Sequence, residues 1–225
     1  MIVRIKRQDD ASSESYYQDF VYKGSGRTTA SQILEAINSE DDLRDAEGRP
    51  ARRIKWEHSC LQKACGACAM VINGRPALAC SYFVDADADG MLLLEPLSKF
   101  PVISDLAVDR SCIEEHQKAA LMYLGERAEP NAKERGQQYS AAGCLRCGLC
   151  LEVCPNYVGP EGRFYGAVMA NESYLLASST KDRRREIAKE YKRHFARGCS
   201  KSLACREICP AGIQTLSSIG YMNRL

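Results

Sequence analysis

No stretch of this sequence approaches ~18 consecutive apolar residues, so none reads as a membrane-spanning helix. The opening MIVRIKRQDD lacks an apolar signal core, a small-residue cleavage site and the Arg/Ser-rich character of a transit peptide, and the chain is expected to be soluble and unexported. An excess of one charge is also missing. The 31 Lys and Arg stand against 29 Asp and Glu, a formal net charge of +2, which gives no global field for nucleic acid or an acidic substrate. Histidine is scarce, and His116 and His194 lie outside metal-ligand spacing and are expected at the surface or at helix ends. What is abundant is cysteine. Twelve of them in an unexported chain are not expected to form disulfides, because reducing compartments keep thiols free, and their tight grouping points to metal.

The 225 residues suffice for two domains of ordinary size. MIVRIKR alternates apolar and basic residues, QDDASSES supplies turn chemistry, and YYQDFVYK resumes strand character, which together predict a β-hairpin. TTASQILEAINSE then offers a Thr cap and Ile33, Leu34 and Ile37 at helical spacing, so the start reads as a β-grasp. Asn73-Gly74 marks a tight turn between apolar segments, and GMLLLEPL supplies a further buried strand. Beyond Asp105 the pattern turns helical, in SCIEEHQKAALMYLGER, GRFYGAVMANESYLLASS and KDRRREIAKEYKRHFARG. The expected fold class is α+β: a β-grasp domain over residues 1–107, plant-type ferredoxin-like by its Cys60-x4-Cys65-x2-Cys68 spacing, and a mostly helical domain over 108–225, bacterial ferredoxin-like by its Cys144-x2-Cys147-x2-Cys150-x3-Cys154 spacing.

HSCLQKACGACAMVINGRPALAC gives Cys60-x4-Cys65-x2-Cys68 with Cys80 further on, the plant-type spacing for a 2Fe-2S cluster. Four thiolates are needed around two irons, and Gly66 and Ala67 keep the loop small enough for backbone N–H groups to approach the sulfurs and adjust the potential. Zinc is the rival occupant, since four thiolates suit it equally, but this one-loop spacing is far more specific to iron–sulfur. His58, near Cys60, is placed to hydrogen-bond close to the cluster.

CLRCGLCLEVCP is the bacterial ferredoxin run Cys-x2-Cys-x2-Cys-x3-Cys-Pro, in which the fourth cysteine serves the other cluster. By that crossing rule Cys144, Cys147 and Cys150 take Cys209 as fourth ligand of a 4Fe-4S cluster, and Cys154 joins Cys199 and Cys205. The later run CSKSLACREICP has Ser202 where its second cysteine would fall, so three thiolates remain and the spacing predicts a 3Fe-4S cluster. A Ser-ligated 4Fe-4S centre is the alternative at Ser202. Pro155 and Pro210, each following a ligand cysteine, fix the backbone where the chain turns away. Cys112 is left over and is expected to pack as a small buried residue.

With these runs and LEPLSKFPVISDLAVD near the domain junction, nearly the whole chain resembles the iron–sulfur subunits of the succinate dehydrogenase/fumarate reductase family. The resemblance implies 2Fe-2S, 4Fe-4S and 3Fe-4S clusters and an electron wire with no catalytic residue of its own. It also implies an FAD-containing flavoprotein partner, membrane anchor subunits carrying quinone or haem, and a peripheral place on the inner face of the cytoplasmic membrane. Many succinate dehydrogenases carry a Trp pair after the equivalent of Cys154 and a His after that of Cys199, both near quinone. Here Asn156-Tyr157 and Ser200 stand there, which leans toward the fumarate reductases, and Ala211 replaces the Lys that commonly follows the last Cys-Pro. A relay for another flavoprotein, of the enoate or heterodisulfide reductase type, and a zinc-stapled scaffold are the alternatives. The segment KDRRREIAKEYKRHFARG is basic on one helical face, with Ile187, Ala188, Tyr191 and Phe195 expected on the other; a solvated face or contact with anionic lipid or an acidic partner would account for it.

Overall fold

The computed structural model describes residues 1–125, 127–128 and 131–225. The chain divides into two compact units, Met1–Asp109 and Arg110–Leu225.

In the first unit β1 (Ile2–Arg7) and β2 (Tyr16–Val21) form the antiparallel hairpin, with Val3 opposite Phe20 and Ile5 opposite Gln18. The period-two alternation of β1 turns Val3, Ile5 and Arg7 inward. After β3 (Arg27–Thr29), helix α1 (Ala30–Asn38) begins with a capping box: the Gln32 N–H donates to Thr29 Oγ1 at 3.3 Å and the Thr29 N–H to Gln32 Oε1 at 3.1 Å. β4 (Ala69–Ile72) and β5 (Arg75–Leu78) follow as a hairpin whose turn residues Asn73 and Gly74 have φ of 48° and 75°, the left-handed pair of a tight hairpin turn. β6 (Phe83–Asp85) pairs with β3, and β7 (Met91–Glu95) enters the main sheet, whose order is β2-β1-β7-β4-β5. β7 runs parallel to β1 and antiparallel to β4, so this mixed sheet with α1 in the crossover is a β-grasp. Val3, Ile5, Phe20, Ile33, Leu34, Ile72, Leu92 and Leu94 are wholly buried in its core. A short bulged ribbon, β8 (Val102–Ser104) with β9 (Ala107–Val108), closes the unit.

The second unit is helical: α2 (Cys112–Ala119), α3 (Arg135–Ala142), α4 (Leu149–Glu152), α5 (Gly166–Ser179), α6 (Arg184–Tyr191), α7 (Ala204–Glu207) and α8 (Thr215–Met222). α5 is buried nearly all round, as a central helix must be, and Met169, Ala170, Tyr174 and Ala177 share a core with Ile187, Tyr191, Phe195 and Met222. The helix expected over Ser111–Arg127 stops at Ala119, because Leu121 takes a left-handed φ of 54°; Glu126 of that stretch lies outside the described residues. The basic segment is helical, but beyond α6 it widens into a π-helical turn over Lys192–Ala196. No helix among the described residues is long and apolar enough to cross a membrane.

Candidate functional site

Cys60, Cys65 and Cys68 lie on the irregular loop that leads into β4, and Cys80 sits on the 3-10 turn Ala79–Ser81, which the Ala79 N–H ties to the Cys68 carbonyl at 3.0 Å. Leu61, Lys63 and Gly66 adopt left-handed φ of 54°, 63° and 79°. The loop therefore presents its amides inward: the Gln62 and Ala64 N–H groups donate to Cys60 Sγ at 3.4 and 3.3 Å, that of Lys63 to Cys80 Sγ at 3.3 Å, and that of Ala67 to Cys65 Sγ at 3.4 Å. Left-handed φ at Leu61 and Lys63 costs about 1–2 kcal/mol each, so the amide cradle is held against local preference.

Electrostatics divides these four thiols. The amides of Gln62 and Ala64, with the adjacent Cys65 thiol, lower Cys60 to about 7. Burial, with the adjacent Cys80, pushes Cys68 up to about 12. His58 packs against the Trp56 ring at 4.4 Å.

In the second unit the two cysteine runs fold as near copies. Counting from the first cysteine of each, the second and fourth following residues are left-handed: Arg146 and Gly148 (φ 50° and 84°) in one, Lys201 and Leu203 (61° and 64°) in the other. Each run then enters a four-residue helix, α4 or α7. Ser202 occupies in the second copy the position that Cys147 occupies in the first.

These copies face each other across two cavities. One is lined by Cys144, Cys147, Cys150, Cys205 and Cys209. The other is lined by Cys154, Cys199 and Cys205, with Ser202, Phe164 and Phe195. Burial raises the thiols of Cys144 and Cys205, lifts Cys147 to about 11 and pushes Cys150 well above its ordinary range. Cys112 is buried apart from both cavities, its sulfur 3.6 Å from the Tyr157 hydroxyl.

A polynuclear iron–sulfur group fits this donor set. Buried thiols with raised pKa ionise only beside compensating positive charge, which bound iron supplies. Among the described residues no three His, Cys, Asp or Glu side chains converge on a point that would hold a single ion. The thiols instead surround volumes, which suits a cluster better than a lone zinc at ~2.3 Å from each sulfur.

One arrangement has no signature in the residue spacing. His116 and His194, each in the last turn of its helix as expected, stack on opposite faces of Tyr165, at 3.9 and 4.0 Å. Each also hydrogen-bonds a carbonyl of the loop before α5, Pro160 at 2.8 Å for His116 and Arg163 at 3.0 Å for His194, so the pair clamps that loop.

Two family models match. Residues 2–115 fit a 2Fe-2S iron–sulfur cluster binding domain and residues 140–213 a 4Fe-4S dicluster domain. The chain is 30% identical to the succinate dehydrogenase iron–sulfur subunit of Bacillus subtilis, covering 98% of this chain and 90% of that one. It is 27% identical to the fumarate reductase iron–sulfur subunit of Wolinella succinogenes over 100% of this chain and 96% of the relative. A solved chain of the Mycobacterium smegmatis Sdh1 complex in the apo form shares the fold with a TM-score of 0.72 at 19% identity, over 99% of this chain and 93% of that one. The two ferredoxin-like units, their order along the chain and the full-length match to these relatives agree: the chain belongs to the succinate dehydrogenase/fumarate reductase iron–sulfur subunit family.

Proposed function

We propose that this chain is the electron-relay subunit of a succinate dehydrogenase/fumarate reductase-type complex. In this reading it conducts between an FAD-containing flavoprotein and a quinone or haem site on membrane anchor subunits, and is itself inert toward succinate and fumarate. When bound, the clusters supply one-electron redox centres. Cys60, Cys65, Cys68 and Cys80 would hold the 2Fe-2S group. Cys144, Cys147, Cys150 and Cys209 would hold the 4Fe-4S group, and Cys154, Cys199 and Cys205 the 3Fe-4S group, by the crossing of the two ferredoxin runs. The amides on Cys60, Cys65 and Cys80 stabilise added negative charge, while Phe164, Phe195, Leu216 and Ile219 line the Ser202 cavity with apolar surface.

The observation that carries the reading is the set of seven cysteines around two cavities, Cys205 lining both, with Ser202 at the corner that Cys147 fills in the sister run. Purification of the native complex without oxygen tests it. The expected result is iron with acid-labile sulfide, an oxidised-state 3Fe-4S signal, a reduced-state 2Fe-2S signal, and a co-purifying flavoprotein active with fumarate or succinate. Zinc without sulfide would sink it.

One observation favours a second reading of the terminal acceptor. At the positions where succinate dehydrogenases carry quinone-side Trp and His, Ser200 donates to Asn156 Oδ1 at 2.5 Å, so the two polar side chains satisfy each other. An acceptor other than a quinone would then take the electrons, identified by activity of the native complex with that acceptor and none with a quinone.

A further inference from the structure

We propose that the exposed basic face of residues 181–197 seats on the headgroup plane of an anionic lipid bilayer. This segment carries eight Lys and Arg against three Asp and Glu, a net of +5 in a chain whose formal net charge is +2. Ile187, Ala188, Tyr191 and Phe195 hold its inner face in the helical core, and Lys181, Arg185, Lys189, Lys192, Arg193 and Arg197 are exposed along the outer one.

Glu186 and Glu190 do not neutralise Arg185, Lys189, Lys192 and Arg197. Glu186 is engaged by Arg183 at 2.9 Å, and Glu190 lies 3.5 Å from His194 and 3.9 Å from Arg193. Among the described residues Arg185, Lys189, Lys192 and Arg197 make no ion pair. Spacings of three and four residues put like charges side by side, which costs a few tenths of a kcal/mol per pair. The helix keeps that repulsion where solubility would be served by mixed charge.

The face also lacks what a protein partner needs. Specific protein interfaces centre on buried aromatic or apolar anchors. No large apolar side chain between Val158 and Leu203 is exposed among the described residues. A row of cations about 20 Å long without an apolar centre matches a plane of diffuse negative charge, at ~1 kcal/mol of attraction per Lys or Arg near the surface.

The test is flotation of the full-length, cluster-loaded protein with vesicles about one-third phosphatidylglycerol in phosphatidylcholine, at low salt. Binding is expected there, is absent on pure phosphatidylcholine, and is lost near ~0.5 M salt. The triple variant Arg185→Gln, Lys189→Gln, Lys192→Gln is expected to bind about a hundredfold more weakly with an unchanged visible spectrum. The charge-preserving exchange Arg185→Lys, Lys189→Arg, Lys192→Arg keeps the affinity. Equal binding to neutral vesicles, salt-insensitive binding, or undiminished binding by the glutamine variant overturns the proposal. So does retention on polyglutamate without retention on phosphatidylglycerol vesicles, which would assign the face to an acidic protein. If the glutamine variant fails to load its clusters, the exchange variant and the salt response of the native protein decide.

Discussion

In the proposed relay, Ser202 is the residue on which the character of one redox centre would turn. It stands at the corner that Cys147 fills in the sister run, on the same left-handed scaffold, and it lines the cavity shared with Cys154, Cys199 and Cys205. Ser202→Cys adds the fourth thiolate without a backbone change. The oxidised-state 3Fe-4S signal is expected to disappear in favour of a 4Fe-4S centre of lower midpoint potential, with slower passage of electrons to the terminal acceptor. Electron paramagnetic resonance with a redox titration checks this, and an unchanged 3Fe-4S signal refutes it. Asp105 is the comparable residue of the other unit. Its carboxylate accepts from Arg7 Nε at 2.9 Å, from Arg52 at 2.7 and 2.8 Å and from the Lys55 N–H at 2.9 Å, and both Arg7 and Asp105 are fully buried. Burial alone would raise the Asp105 pKa, but Arg52, the Lys55 amide and Arg7 outweigh it and the net shift is downward. Asp105→Asn strands the Arg7 charge and is expected to cost about 3–5 kcal/mol. A depressed carboxylate stabilises fully above its unfolded value near ~3.9 and loses that stability as pH falls through the folded one. The gap between wild type and variant in urea unfolding should therefore be constant from neutral pH to about 5 and shrink below about 4, read from Trp56, the one tryptophan of the chain.

At the scale of elements, the two short helices that follow the cysteine runs differ in how they begin. α4 is entered through Gly148 at φ 84° and α7 through Leu203 at φ 64°. Only the glycine adopts that conformation without strain. Leu203→Gly is expected to stabilise the second unit by up to about 1 kcal/mol, the strain relieved less the flexibility added to the unfolded chain. Gly148→Ala should destabilise it by a similar amount. Thermal loss of visible absorption reads both: a rise of a few degrees for the first, a fall for the second. This pair also shows where sequence reading stops. Cysteine spacing made the family legible, because iron–sulfur ligation ties residue type and interval together. The hairpin and α1 were legible through the period-two alternation of β1 and the Thr29 cap. The left-handed backbone at Leu61, Lys63 and Leu203 was not, because such strain at non-glycine residues is imposed by tertiary structure. The His116–Tyr165–His194 stack was hidden for the same reason, since its three rings come from distant parts of the chain. The early end of α2 was also missed, because Ala119-Ala120-Leu121 continues a good helical pattern and only the left-handed turn at Leu121 stops it.

The whole molecule joins two units that rely on their clusters to different degrees. The first has a five-stranded sheet and a wholly buried apolar core built without help from Cys60, Cys65 or Cys80. The second places seven cysteines around two cavities, and α4 and α7, at four residues each, are far too short to persist without tertiary support. Removing iron leaves raised-pKa thiols lining apolar hollows with nothing to bridge the two runs, and metal-binding energy that is also folding energy is lost. Chelation under reducing conditions should therefore open the second unit first. In amide hydrogen exchange, α4, α7 and the adjoining ends of α5 and α8 are expected to lose protection by at least tenfold. β1, β7 and α1 should keep theirs until the sheet itself unfolds. Simultaneous loss of protection in both units would instead mean that the β-grasp core also depends on bound iron, and the contrast between a self-sufficient sheet and a cluster-dependent helical unit would be wrong.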